Sequence, residues 1–314
     1  AAKIAKDKYG IDVGTPNGPA PVTVKDTLLK IDWNINENHR ANIRYTKTDQ
    51  AETNFGTYSA TVLNLTSWWW NQKKTIETVV GQWFADWTPN FSTEVKLSNR
   101  DYHSEPQNYS KLPAIGLQFS GPAPAGSPAG INTGNRFLNF GTELSRQFNV
   151  LDTKTVDAYF GANLVLGDHE IKGGADYSNN KIYNAFFQNV NGNYTFRCEN
   201  NFTYTTVPGL NAQGNNLNCS PNTSNFTAAQ LALLASQIEA ATLENFSRGR
   251  YSAYQVQLPQ TGKTLDDGIA KWSIANTGLF LQDTWTVNNR LTLGAGVRYD
   301  RTSIPDSPAL NVAA

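Results

Sequence analysis

The sequence predicts an all-β fold, an antiparallel transmembrane β-barrel built from long hairpins, on three observations. Apolar residues recur at every second position in paired segments, with polar residues between them. Tight turns alternate with long connections of biased composition. Trp and Tyr fall at regular offsets from the tight turns, on the apolar parity. Successive strand side chains point to opposite faces, so this alternation builds one apolar and one polar face.

Four hairpins carry the pattern. The first places Leu29, Ile31, Trp33 and Ile35 on one parity, turns around residues 36–39, and returns through Ala41, Ile43 and Tyr45. The second runs through Val79, Trp83, Ala85 and Trp87, turns at Pro89-Asn90, and returns through Phe91, Thr93, Val95 and Leu97. The third runs from Val156 through Phe160 to Leu164, turns at Gly167-Asp168, and returns through Ile171, Gly173, Ala175 and Tyr177. The fourth descends through Leu279, Leu281 and Trp285, turns at Asn288-Asn289, and returns through Leu291, Leu293, Ala295, Val297 and Tyr299. Gly and Asn suit these turns because they tolerate positive φ.

The connections between hairpins are long. Roughly 49–74 is polar and contains Trp68-Trp69-Trp70. Roughly 102–153 contains a Gly/Pro/Ala run at 121–130, a composition that builds no packed core. Roughly 180–270 is Asn-rich. Within it, Ala228–Asn245 reads as a short amphipathic helix capped by Thr227 with Gln230 three residues on, and 251–258 as an extra strand. Loops of this length in compact domains are usually functional. Tight turns at one end and long loops at the other is the plan of outer-membrane barrels.

Bulk composition agrees. The chain has 314 residues, room for one large all-β domain or two ordinary ones. Formal net charge is zero, so nothing favours nucleic acid. Hydrophobic residues are 39%, and no apolar run approaches the ~18 residues of a membrane-spanning helix. A barrel needs apolar residues only at alternate positions, so its mean hydropathy stays low. The absence of an initiator Met, a signal peptide and a stop-transfer pattern suggests an internal piece of a longer protein. Cys198 and Cys219 lie in one Asn-rich segment. A disulfide there implies an oxidising compartment, two free thiols being the alternative.

Aromatics mark two interface girdles. Trp33, Trp87 and Trp285 precede tight turns by a few residues, and Tyr45, Tyr177 and Tyr299 follow them. About ten residues separate Tyr299 from its turn, or ~25 Å at a tilt near 40°, which matches the apolar band of such barrels. The third hairpin lacks a Trp before its turn, and Asp283 interrupts the apolar stripe.

The opposite parity is the expected lumen wall. It carries Arg44, Glu94, Lys96, Arg100, Asp157, Lys172, Asp176, Arg298 and Asp300, together with Asp32, Glu170 and Arg290. These residues line a solute path or dock a plug; ordinary cross-strand pairing is the commoner role for any one of them. Mixed sign suits a plugged lumen better than an ion-selective pore. Trp68, Trp69 and Trp70 offer faces that stack a ligand at the cell surface, against the more frequent role of a packed loop base. His103 beside Asp101 and Glu105 is a weak metal signal, and His39 and His169 read as structural. No catalytic set, Walker sequence or dinucleotide loop is present, so neither enzyme activity nor a cofactor is expected. The sequons at Asn64, Asn201, Asn225 and Asn245 follow from an Asn/Thr-rich composition.

Gly278-Leu-Phe-Leu-Gln-Asp-Thr-Trp285, followed by Leu291-Thr-Leu-Gly-Ala-Gly-Val-Arg-Tyr-Asp300, resembles the barrel hairpin of TonB-dependent outer-membrane receptors. Leu29-Lys-Ile-Asp-Trp-Asn-Ile-Asn with His39-Arg, and Asp86-Trp-Thr-Pro-Asn-Phe-Ser-Thr-Glu94, resemble the Oar-like branch. The resemblance touches all four hairpins. It implies a 22-stranded barrel around an N-terminal plug, of which about eight spanning strands stand in residues 1–314. It also implies uptake of a scarce solute driven by the TonB complex through the missing plug. The expected partners are the outer-membrane bilayer, TonB and an extracellular ligand, with no nucleic acid. The plug, a TonB box and the final aromatic strand are absent from this sequence. The alternatives are a complete eight-stranded barrel acting as anchor or adhesin, and a secreted soluble all-β binding protein.

Overall fold

The computed structural model describes residues 1–307 except 125, 129, 132 and 211–214. The run at 121–130 therefore falls partly, and the tail Asn311-Val-Ala-Ala wholly, outside the described residues. Along the chain the elements are α1 (Ala2–Tyr9), β1 (Val22–Asn34), β2 (His39–Asn54), β3 (Val62–Asn64), β4 (Trp70–Thr88), β5 (Phe91–Asn108), β6 (Ala114–Phe119), β7 (Arg136–Gly141), β8 (Phe148–Leu166), β9 (His169–Phe187), β10 (Asn193–Arg197), β11 (Thr203–Tyr204), β12 (Asn215–Asn216), α2 (Ala228–Ser247), β13 (Ala253–Gln255), β14 (Ala270–Asn288) and β15 (Leu291–Ser303).

The four hairpins join edge to edge into one eight-stranded antiparallel sheet, ordered β1-β2-β4-β5-β8-β9-β14-β15. Register keeps the parities together. One apolar row runs Ile31, Ile43, Gly81, Leu97, Ala158 and Tyr177 across six strands. Another runs from Phe160 through Ala175 and Leu279 to Tyr299. The large side chains on this parity stand out from the sheet, Ile31, Leu97 and Tyr299 among them, and Val297 reaches 73% exposure. A contiguous apolar surface of this extent is rare on a protein bathed only in water.

The sheet is open. Among the described residues β1 and β15 are both edges, so the eight strands do not close on each other. That corrects the alternative of a complete eight-stranded barrel. The fourth turn sits at Asn289-Arg290 and not at Asn288-Asn289. A register shift between Thr286 and Asn288 inserts one residue into β14 and moves the turn by one.

The strands are longer than the alternation suggested. β4, β8, β9 and β14 have 19 residues each, whereas ~9–11 cross a bilayer. The excess lies beyond Tyr45 and Tyr177 on the long-loop side. The connections there shrink to 55–69, 109–147 and 188–269. They fold into a cap with its own cores, built from residues on either side of the run at 121–130 and from the connection that holds α2. Its five-stranded sheet is ordered β13-β10-β6-β7-β3, with parallel pairs β10–β6 and β3–β7. The strand expected at 251–258 is confined to β13. Ala5, Val13, Leu117, Phe140, Phe196 and Phe246 form a core between this sheet, α1 and α2. A second core of Tyr204, Val207, Leu234 and Ile238 surrounds Cys198 and Cys219, which are bonded with Cα atoms 5.7 Å apart. The α2 helix starts at the expected capping box, Thr227 with Gln230, and runs two residues past the expected end.

Candidate functional site

The polar face of the eight-stranded sheet and the cap are the two surfaces able to meet a solute. Arg44, Glu94, Lys96, Arg100, Asp157, Lys172, Asp176, Arg298 and Asp300 all share the face opposite the apolar rows, as their register requires. Most are tied to neighbours. Ser98 Oγ donates to Asp157 Oδ2 at 2.8 Å, and Lys172 Nζ lies 3.1 Å from Glu170 Oε1. Arg298 spans three strands, meeting Asp176 at 2.9 Å and Asp300 at 2.7 Å. Arg44 and Lys96 have no ionic partner among the described residues.

Sequence reasoning missed the aromatics on this polar face. The rings of Tyr159 and Phe280 stack 6.3 Å apart with planes 13° from parallel. They lie over Gly161 and Gly174, where a Cβ would come within 2.5 Å of Tyr159 Oη and 2.6 Å of the Phe280 ring. Arg40 lies 5.2 Å over the Phe84 ring. With Glu94 and Lys172 these groups line a shallow pocket of about 210 Å³ at the tight-turn end. The available signal was an aromatic on the polar parity with a glycine two residues on, as Gly161 is from Tyr159, or on the neighbouring strand, as Gly174 is from Phe280, since bare backbone leaves room for a flat ring.

The residues expected in the girdles share the apolar face of the sheet. Trp33, Trp87, Trp285 and Tyr299 stand well out from the sheet. His39 packs against Trp83 and Trp87, and His169 stacks on Trp285 at 5.4 Å. Asp283, the acid within the stripe, bonds His169 Nδ1 at 2.7 Å. A carboxylate near the tight-turn end of the apolar band is thus paired with an imidazole.

Trp68, Trp69 and Trp70 are 7–8% exposed. Trp69 donates to the Asn64 carbonyl at 3.2 Å and packs with Trp68 against Ala114 and Leu144, while Arg146 lies over Trp70. They form the packed base of the cap, and their faces are covered where a stacking ligand needs them open. Asn64 and Asn245 are 2% and 0% exposed, and both amides donate to backbone carbonyls. His103 is tied to Asp152 and Glu105. Among the described residues no group of three or more His, Cys, Asp or Glu side chains is arranged to hold a metal.

The cap is organised around Glu244, 5% exposed. It accepts from the Thr205 and Thr206 amides at 3.0 and 2.8 Å, from Thr206 Oγ1 at 2.6 Å, and faces Arg248 at 3.0 Å. Burial pushes its carboxyl up, but the hydrogen bonds from Thr206 and Thr205 and the Arg248 charge outweigh it and hold the group below the usual carboxylate range.

The family described as "Outer membrane beta barrel domain" matches residues 13–312. No curated protein matches the chain. Among solved structures it is similar to the outer membrane transporter YddB from Escherichia coli, at 11% identity over 89% of this chain and 27% of that one, with a TM-score of 0.47. It is similar to a mutant ferric enterobactin receptor from Pseudomonas aeruginosa at 12% identity, over 94% and 30% of the two chains, with a TM-score of 0.42. The FrpB iron transporter from Neisseria meningitidis aligns at 13% identity, over 95% and 35%, with a TM-score of 0.41. The chain spans about a third or less of the length of these three structures.

Proposed function

Because the chain belongs to the outer-membrane β-barrel domain family and so resides in the bacterial outer membrane, we propose that it is wall and cap of a receptor that takes up a scarce solute. Residues 1–314 are part of one TonB-dependent receptor barrel domain of the Oar-like branch, 22-stranded when whole, with the plug and remaining strands outside this chain. The observation that carries this reading is the segregation of the eight-stranded sheet. One face is apolar and girdled by aromatics, the other is charged and wet, and a folded cap stands over one end only. Lipid demands that every backbone hydrogen bond be satisfied, which a closed barrel does and two bare edges do not. The cap captures ligand outside the cell, the lumen wall docks the plug, and the TonB complex drives release inward. Binding and transport are the activity, with no bond chemistry.

Spin labels test the orientation. Labels at Ile43, Phe160 and Val297 should be relaxed by oxygen dissolved in acyl chains, and labels at Arg44, Lys96 and Asp157 by an aqueous nickel reagent. Equal nickel exposure of both sets would end the proposal. For capture, protein isolated from outer membranes should carry a small molecule that a variant lacking 188–269 does not. Equal small-molecule content in the two overturns capture by the cap.

A further inference from the structure

One edge of the cap sheet carries a ledge of three tyrosines. Tyr194 on β10 and Tyr254 on β13 are cross-strand partners, with ring centroids 4.5 Å apart. Tyr251, just before β13, packs 5.6 Å from Tyr194 and 6.0 Å from Tyr254. The ledge is held from beneath. Tyr194 rests against the first cap core, stacked on Phe196, and Phe196 meets Phe246 edge to face. Tyr254 lies across Gly192, where a Cβ would come within 3.0 Å of its ring. Ser252 donates its amide to the Thr195 carbonyl at 2.8 Å, and its Oγ accepts from the Arg197 amide at 3.2 Å. Those two bonds fix the chain between Tyr251 and Tyr254. Even so, Tyr251 is 50% and Tyr254 43% exposed.

The two segments that build the ledge carry no charge. Residues 182–196 and 251–262 are free of Asp, Glu, Lys, Arg and His. The basic groups that border them are engaged, Arg197 with Glu199 at 2.7 Å and Arg250 with Glu244 at 3.4 Å. Among the described residues β13 is the free edge of its sheet, so main-chain donors and acceptors line the rim of the ledge. We infer that this ledge binds a ring of a neutral oligosaccharide free in the surrounding medium. The inference rests on the capture role proposed above for the cap and names the class of solute. A pyranose ring has an apolar C–H face and a border of hydroxyls. Its face lies on the tyrosine rings, and its hydroxyls meet tyrosyl oxygens and the β13 main chain. Rings already fixed by packing lose little freedom on binding. A phosphate, carboxylate or anionic chelate would need a free cation, and neither segment supplies one. An extended peptide would need a longer ladder, and β13 offers three residues before the chain reaches Pro259.

The test uses the whole receptor, extracted in mild detergent from outer membranes, on an array of neutral and acidic glycans and of uncharged peptides. The wild type should bind neutral glycans, and the same oligosaccharides free in solution should displace it. Binding to no neutral glycan overturns the inference, as does a preference for acidic glycans or for peptides. Binding only to the lipid-linked polysaccharide of the cell's own surface, without displacement by free oligosaccharide, overturns a free solute as the occupant. Y251A/Y254A should weaken binding about tenfold, the loss of two stacking contacts, while Y251F/Y254F should keep it. Y58A, at an exposed tyrosine of another connection, should change nothing. Unchanged binding in Y251A/Y254A overturns the site, as does an equal loss in Y58A. Proteolysis within 188–269 at the wild-type rate shows that Y251A/Y254A keeps its cap, and the single variant Y251A serves where it does not. Suppose that removing 188–269 empties the isolated protein of its small molecule while Y251A/Y254A binds as before. This inference then falls alone and capture by the cap stands. If removing 188–269 changes nothing, capture itself falls first.

Discussion

The guanidinium of Arg298 on β15 reaches across Gly278 on β14 to the carboxylate of Asp176 on β9. A Cβ at Gly278 would lie 2.3 Å from Arg298 Nη2 and 2.7 Å from Asp176 Oδ2, so one of these two side-chain ends must move to admit it. Gly278→Ala is expected to push the bridge apart. Gly278→Ala and Asp176→Asn should each lower the urea unfolding midpoint, and the double variant should lose little more than the worse single one. Fully additive losses would show that the two positions are not coupled.

Gly174 is the more costly glycine. Its Cβ would meet the Phe160 carbonyl oxygen at 2.3 Å as well as the Phe280 ring, and a backbone atom cannot swing aside. Gly174→Ala should destabilise the sheet by about 1–3 kcal/mol, the usual range for overpacking. Gly294→Ala, with open space around it, should cost much less in the same unfolding assay.

The Cys198–Cys219 bond closes a loop across 21 positions beside the second cap core. Replacing both cysteines by serine should cost the cap about 3 kcal/mol. Limited proteolysis with and without a reductant should show faster cleavage within 188–269, while the eight-stranded sheet stays resistant. Unchanged cleavage rates would mean that the bond contributes nothing to the cap.

Glu244 makes the cap sensitive to acid. Its folded-state carboxyl is held below the ordinary value, so its stabilising contribution is complete above an ordinary carboxylate pKa of about 4.3 and is lost as pH falls through the lower folded value. Glu244→Gln removes the charge that Arg248 faces and should cost about 2 kcal/mol at neutral pH. The variant's cap should also lose part of its acid sensitivity, read by proteolysis between neutral pH and pH about 3.5. A pH profile identical to the wild type would refute the role.

Trp69 is a packing residue in the base of the cap. Trp69→Ala should destabilise the cap by roughly 3–5 kcal/mol, as removal of a buried ring does. Hydrogen exchange at Leu65 and Ala114 should rise in the variant. Loss of ligand affinity without that rise would restore a stacking role.

The eight strands were legible in the sequence because one face is apolar and the other polar, whereas the fourth turn moved by one residue at a bulge that parity does not reveal. Trp33, Ile43, Val95 and Phe160 could lie only on one side. Beyond Tyr45 and Tyr177 both faces are polar, and the pattern disappears. On β9, Ser178-Asn-Asn-Lys181 is polar throughout, which is why the strand was expected to end there and instead runs to Phe187. β6 and β7 of the cap are six residues each, embedded in a Pro/Gly-rich connection too biased in composition to suggest a sheet. The α2 helix was legible because Thr227 and Gln230 cap it locally, whatever lies around it. On the polar face the charges were found by parity, whereas Phe280 over Gly174 depends on the strand beside it.

Among the described residues, β1 and β15 each present 13 residues of main chain with one side unmated. Within oil, each unmated amide and carbonyl is a several-kilocalorie penalty. Those flanks are therefore also a template. Whatever segment docks against β1 opposite Leu29, Ile31 and Trp33 inherits their orientation, and must point its own greasy side chains the same way at those rungs. A newcomer slipped by a single rung would turn its charges toward the acyl chains, so the two borders dictate the alternation of their neighbours as well as accepting them.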